Sequence, residues 1–197
     1  MVATADVIIV GGGVTGLSTA LHLRERGVRD VVVLERHAIG AGQSSRAAGV
    51  VRGTVQHATV SQTQLEGQEF FASFSDRYGI PLDVHQVGYL LIAGPDDRTY
   101  VEQTKYVASQ AGCHVVEMDE SQALNLQPGL PVATDAIYLH EPGGIYVDAM
   151  PATHAIMLAA QQAGVRVIDD CPVRSLRIEQ GKIQAVETES GSLVAPV

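Results

Sequence analysis

The 197-residue chain is short of several residue types, and each shortage excludes something. It has two cysteines, Cys113 and Cys171, and no Cys-x-x-Cys, so neither a disulfide framework nor a cysteine zinc site can be assembled from it. Both read as small hydrophobes. Basic residues are scarce: 13 Lys and Arg stand against 22 Asp and Glu, for a formal net charge of -9. That balance removes the positive surplus that nucleic acid or an anionic membrane surface requires. The seven histidines show no metal-ligand spacing, so no metal is expected. No apolar run approaches the ~20 residues that span a bilayer. Met1–Asp6 lacks a basic leader region and Val7–Val10 is too short for a secretory core, so the expected location is cytoplasmic. Hydrophobic residues at 46% nevertheless give the chain enough to bury a core, which excludes an intrinsically disordered polypeptide.

What is present begins with a short β-branched run, Asp6–Val10, that ends in three glycines. Unbroken by polar alternation, it reads as a buried strand. Val14–Arg26 has apolar residues at helical spacing, with Gly27 as the stop, and Val31–Leu34 is a second buried-type strand. Strand, helix and strand within about 30 residues make a βαβ unit with parallel pairing and a right-handed crossover. Farther on, the pattern predicts a loop over Arg36–Gly53, a helix over Val60–Tyr78 and a strand over Val84–Ala93 with Gly88 inside it. A helix from Asp96 to about Ala111, a strand at Cys113–Glu117 and a short helix at Asp119–Leu126 follow. Next come a strand at Ala136–His140, a helix at Ala149–Ala163 capped by Asp148, a strand at Val165–Ile168, and a hairpin of Val173–Glu179 with Lys182–Glu189.

Gly11-Gly12-Gly13-Val14-Thr15-Gly16 fits the Gly-x-Gly-x-x-Gly fingerprint in the context its mechanism needs, after a strand and at the start of a helix. Gly11 permits the tight turn, Gly13 leaves room for a pyrophosphate beside the backbone, and Gly16 lets helix and strand close up. The helix start then offers amide donors and the positive end of its dipole to the anion. Glu35 ends the second strand, where a carboxylate can accept hydrogen bonds from ribose hydroxyls and repel a 2′-phosphate, with Arg36 adjacent. The fingerprint alone does not choose between NAD and FAD. The segment His37–Gly49 leans toward the longer nucleotide: an NAD-binding unit normally enters a helix there, whereas this stretch is small-residue loop carrying two hydroxyls, Ser44 and Ser45.

Taken together, Asp6–Gly16 with Glu35-Arg36, Gly42–Gly49, Gly88-Tyr89-Leu90, Gly143–Asp148 and Cys171–Leu176 resemble the FAD-dependent amine and amino-acid oxidoreductases of the D-amino-acid oxidase, sarcosine oxidase β-subunit and glycine oxidase group. The resemblance runs over essentially the whole chain. It implies an α/β fold with a Rossmann-like FAD-binding domain, a parallel sheet, and part of a β-rich substrate domain inserted. Residues 1–83 and 147–197 would form the FAD domain and 84–146 the first part of the substrate domain. FAD would be bound non-covalently, since Arg46 stands where some relatives carry a flavin-linked histidine. Gly11, Gly13, Val14, Thr15 and Gly16 would hold the pyrophosphate, and Glu35 and Arg36 the adenosine. Gly42, Gln43, Ser44 and Ser45 would continue the phosphate and ribityl contacts. Arg46, Ala47, Ala48, Gly49 and Val50 would run along the isoalloxazine, and Val173 would meet the adenine side through its backbone. Arg52 is the candidate for a substrate carboxylate, with an exposed salt-bridged arginine as the alternative; no catalytic residue is assigned.

The implied activity is oxidation of a C–N bond of an amino acid or N-methyl amine by hydride transfer to flavin N5. Two alternatives stay open: a NAD-dependent Rossmann enzyme, and a non-catalytic nucleotide-binding subunit or fragment. The segment Val186–Val197 reads as a hairpin turning toward a further strand, and the resemblance implies a C-terminal half not found in these 197 residues. Truncation, proteolytic cleavage and a naturally split enzyme all stay open, and a complementary polypeptide in a hetero-oligomer is the favoured expectation.

Overall fold

The structure, a computed structural model, describes residues 3–130 and 135–196. Met1, Val2, residues 131–134 and Val197, which ends the segment read as turning toward a further strand, lie outside the described residues. Along the chain come β1 (Ala3–Thr4), β2 (Val7–Val10), α1 (Val14–Glu25), β3 (Val31–Leu34) and β4 (Val50–Val51). They are followed by α2 (Ala58–Ala72), α3 (Phe74–Tyr78), β5 (Val84–Gln86), β6 (Tyr89–Ala93), α4 (Arg98–Ala111), β7 (Val116–Met118) and α5 (Glu120–Leu126). The remainder is β8 (Ile137–Glu141), β9 (Ile145–Val147), α6 (Ala149–Gln162), β10 (Arg166–Ile168), β11 (Val173–Glu179), β12 (Lys182–Thr188) and β13 (Gly191–Val194). Single 3-10 turns precede Ala47 and Arg98.

Two compact units result: residues 1–48, 78–82 and 148–197, and residues 49–77 with 83–147. The first is the Rossmann-like unit. Its parallel sheet has the order β10-β3-β2, with Val7–Val10 in register against Val31–Leu34. All four residues of β3 are fully buried, as expected for a central strand covered on both faces. Val32 and Leu34 pack with Ala5, Val186 and Leu193. Val31 and Val33 point the opposite way, because side chains alternate along a strand; α1 packs on β3 and α6 packs on α1. In the second sheet of this unit, β1-β13-β12-β11, a two-residue hairpin joins β11 to β12. Gln180 and Gly181 there both have positive φ, 51° and 76°, the conformation a tight antiparallel hairpin favours.

The other unit holds two antiparallel three-stranded sheets, β4-β9-β5 and β6-β8-β7. The single strand expected over Val84–Ala93 is two strands in different sheets. Gly88 between them has φ +72°, and its amide donates to the Gly144 carbonyl at 2.8 Å. A Cβ on Gly144 would stand 2.9 Å from the Tyr89 backbone nitrogen, so the two glycines allow the crossing of these segments. The expected helix over Val60–Tyr78 is divided at Ser73 into α2 and α3. Ile145–Val147, assigned no element by the sequence pattern, is the central strand β9.

Residues 49–77 differ from the sequence reading in another respect. Read as part of the nucleotide-binding domain, they pack with 83–147. The physical reason is local: β4 pairs with β9, α2 packs on α4, and the backbone at Gly53 and Thr54 is hydrogen-bonded to Glu141.

Candidate functional site

The Rossmann-like unit carries an open groove of about 1150 Å³ along the carboxyl ends of β2 and β3. Its floor is the turn between β2 and α1. Gly11 has φ +114°, a region closed to side-chain-bearing residues. A Cβ on Gly16 would sit 2.0 Å from the Gly11 carbonyl oxygen, so no other residue lets α1 start so close to β2. Gly12, the variable position of the fingerprint, is equally constrained: its Cβ would fall 2.9 Å from Cβ of Glu35. The run of three glycines was the only signal for it in the sequence.

Gly13 caps α1 without a side chain of its own. The cap comes from a distance: the Val14 amide donates to Ser44 Oγ at 2.9 Å. Ser44 therefore ties the His37–Gly49 loop onto the helix start. Its hydroxyl accepts this bond and keeps its proton to donate into the groove. Ser45 behaves differently. Its hydroxyl donates to the Gly42 carbonyl at 3.0 Å, and it is absent from the groove lining.

Glu35 stands at the end of β3, half-buried. One carboxylate oxygen accepts from the Gly12 amide at 2.8 Å and the other from the His37 amide at 3.0 Å. A carboxylate has about four acceptor positions, so two bonds fix its orientation and leave others for a ligand. Among the sequence-expected residues, the groove brings together Gly11, Gly13, Val14, Thr15 and Gly16 with Glu35 and Arg36. Gly42, Gln43, Ser44, Arg46 and Val173 complete that set. It adds residues the fingerprint does not specify, among them His37, Gly40, Cys171 and Arg174. Gly40, at φ +75°, abuts Met150 and Thr153 of α6, a helix contact that no local pattern announces.

Ala47 and Ala48 are exposed and do not line the groove. Gly49, Val50 and Arg52 belong to the other compact unit. There the missing side chain of Gly49 is accounted for by β9, because a Cβ would stand 2.3 Å from the Val147 carbonyl oxygen. Val50 is exposed and pairs with Tyr146. Arg52 lies with its guanidinium 4.6 Å from the centre of the Tyr89 ring and donates to the Thr54 carbonyl. It has no ion-pair partner among the described residues, unlike the salt-bridged surface arginine offered as its alternative.

The donor and acceptor set fits a dinucleotide. A glycine turn at a helix start has room for a pyrophosphate, a serine hydroxyl lies beside it, and an oriented carboxylate with acceptor positions left over suits ribose hydroxyls. Among the described residues no group of His, Cys, Asp and Glu could hold a metal ion.

Comparison with known proteins gives the family and the fold. The family described as "FAD dependent oxidoreductase" matches residues 6–196. Mitochondrial dimethylglycine dehydrogenase of Rattus norvegicus is 28% identical over 97% of this chain and 22% of its own length. The mitochondrial pyruvate dehydrogenase phosphatase regulatory subunit of Mus musculus is 27% identical over 97% of this chain and 22% of its own. Among solved structures, L-proline dehydrogenase from P. horikoshii superposes with a TM-score of 0.90 at 22% identity, covering 99% of this chain and 52% of that one. The chain thus spans about a fifth of those curated relatives and about half of that solved structure.

Proposed function

The chain belongs to the FAD-dependent oxidoreductase family, and from that premise we propose that it forms the nucleotide-binding half of an enzyme that oxidises a C–N bond of an amino acid or N-methyl amine. The observation that carries the reading is the groove itself: the Gly11–Gly16 turn, the Ser44 cap on α1 and the Glu35 carboxylate are arranged together along one open channel.

When bound, the flavin supplies the acceptor, at N5, for the hydride equivalent leaving the substrate carbon. The residues of this chain bind and orient. The amides at the start of α1 take the pyrophosphate charge. Ser44 donates its hydroxyl proton to a phosphate or ribityl oxygen, and Glu35 accepts from the adenosine ribose. Arg52 holds the substrate carboxylate through its guanidinium fork, a planar bidentate match.

A complementary stretch of polypeptide is part of this proposal. β2 is an edge strand of its sheet, apolar throughout, and Val10 is 58% exposed. Beside it runs an apolar cleft lined by Ile8, Val10, Leu176, Ile183 and Leu193. Unprotected apolar edges of this kind are rarely left open to water.

A second reading has a specific basis: one relative at 27% identity is named as a regulatory subunit, so the nucleotide fold could serve assembly without turnover. One experiment separates the two. Purified protein, with its complementary segment, is loaded with FAD and mixed anaerobically with N-methyl amino acids. Bleaching of the flavin band supports the enzyme. A bound flavin that no such substrate reduces supports the regulatory reading, and failure to bind flavin contradicts both.

A further inference from the structure

In the unit formed by residues 49–77 and 83–147, the buried carboxylate among the described residues is Glu141, only 1% exposed at the end of β8. Burying a carboxylate is costly unless its lone pairs are filled. Here they are. The Gly53 amide donates to one oxygen at 2.7 Å and the Thr54 amide to the other at 2.8 Å. The Thr54 hydroxyl adds a bond, and Gln68 Nε2 donates at 2.8 Å. No lysine or arginine pairs with Glu141 among the described residues. The four donors converge on one loop, Gly53–Thr54, and on the helix α2 that follows it.

That loop holds Arg52. The guanidinium donates from Nη1 to the Thr54 carbonyl, and its face lies on the ring of Tyr89. Tyr89 is the cross-strand partner of Glu141 between β6 and β8. Glu141 thus stands behind both supports of the arginine: it holds the amide and the hydroxyl of Thr54, the residue whose carbonyl is the acceptor, and it shares the strand pair that carries the ring. Among the described residues the guanidinium has no carboxylate partner and no further acceptor, so most of its N–H fork is unused. A half-buried cation oriented from one side, with its fork open, is suited to an anion that arrives planar and bidentate.

We propose that Glu141 is a positioning residue for Arg52, clamping the Gly53–Thr54 backbone so that the guanidinium fork is presented to a substrate carboxylate. The inference rests on the amino-acid reading of the substrate given above. Gly53 belongs to the device, because a Cβ there would come 2.8 Å from Sγ of Cys113 and 2.9 Å from Leu65. Cys113 also reports on it: burial pushes its thiol up to about 11, with the negative charge of Glu141 as the next contributor.

The test is a double-mutant cycle on the full-length, flavin-loaded protein, with N,N-dimethylglycine as probe and trimethylamine as the carboxylate-free control. Binding is read by isothermal titration calorimetry. Arg52→Met and Glu141→Gln should each weaken dimethylglycine by about tenfold or more, leave trimethylamine unchanged, and combine without adding. In flavin-free protein, peptide-resolved alkylation of Cys113 should shift to lower pH in Glu141→Gln and stay in place in Arg52→Met. If Glu141→Gln does not fold, Gln68→Leu removes one clamp donor and should weaken dimethylglycine by about threefold, again without adding to Arg52→Met. An Arg52→Met protein that binds dimethylglycine normally overturns the carboxylate reading of Arg52 and the positioning role with it. A normal Arg52 effect with additive Glu141 or Gln68 effects, or equal losses for trimethylamine, overturns the positioning role alone.

Discussion

Glu35 and Glu141 are both carboxylates at strand ends held by backbone amides, one in each compact unit, yet their surroundings differ. Glu35 accepts two amide bonds and remains half-buried beside a groove, with acceptor positions to spare. Glu141 accepts four donors and is out of contact with water. The difference teaches that hydrogen bonding to amides does not by itself mark a binding carboxylate. What separates a ligand-facing group from a fastener is whether lone pairs are left over.

The comparison can be broken most readily at the fastener. Glu141→Ala strands the Gly53 and Thr54 amides and the Gln68 amide in a dry site, and should cost about 4 kcal/mol of stability by denaturant titration. A loss under about 1 kcal/mol would remove the contrast with Glu35. Next in size, Gly16→Ala forces a methyl against the Gly11 carbonyl and should cost about 3 kcal/mol, with loss of FAD binding at concentrations that saturate the parent. Third, Glu35→Gln should cost about 1 kcal/mol, since its amide partners can turn to water, while weakening FAD about tenfold in an equilibrium titration.

The smallest effect belongs to an exposed network. Glu117 on β7 meets Arg98 at 2.6 Å and Lys105 at 2.9 Å, both on α4. The hydrogen bond from Arg98, then that from Lys105, holds the Glu117 carboxyl below the usual carboxylate range. A lowered folded-state value stabilises the fold above the unfolded value, and that contribution is lost as pH falls through the folded one. Glu117→Gln should therefore lower Tm by about 1–3 °C at neutral pH, less in high salt, with the gap closing in acid. A gap that persists in acid would mean packing, not charge.

Much of the first unit was legible in sequence because its signals are local. The β-branched run, the glycine spacing and the acid at the end of the second strand sit within 30 residues, and each obeys a short-range rule. The second unit was less so. A strand pattern over Val84–Ala93 does not reveal that Gly88 takes positive φ and sends the chain into another sheet. Gly49 reads equally well as space for a ligand or for a neighbouring strand, and only the Val147 contact tells them apart. Glu141 resembles any polar residue at a strand end; its partners lie 73 to 88 positions away. Ser44 and Ser45, indistinguishable in composition, diverge because one reaches the amide of Val14 and the other turns back on Gly42.

The central claim is that the groove of the first unit is a flavin-nucleotide cradle, and the most direct measurement is an FAD titration of the purified protein beside its Gly16→Ala and Glu35→Gln variants. The parent should bind saturably, Glu35→Gln about tenfold more weakly and Gly16→Ala not at all. Equal FAD affinity in all three, with the variants folded, would contradict it.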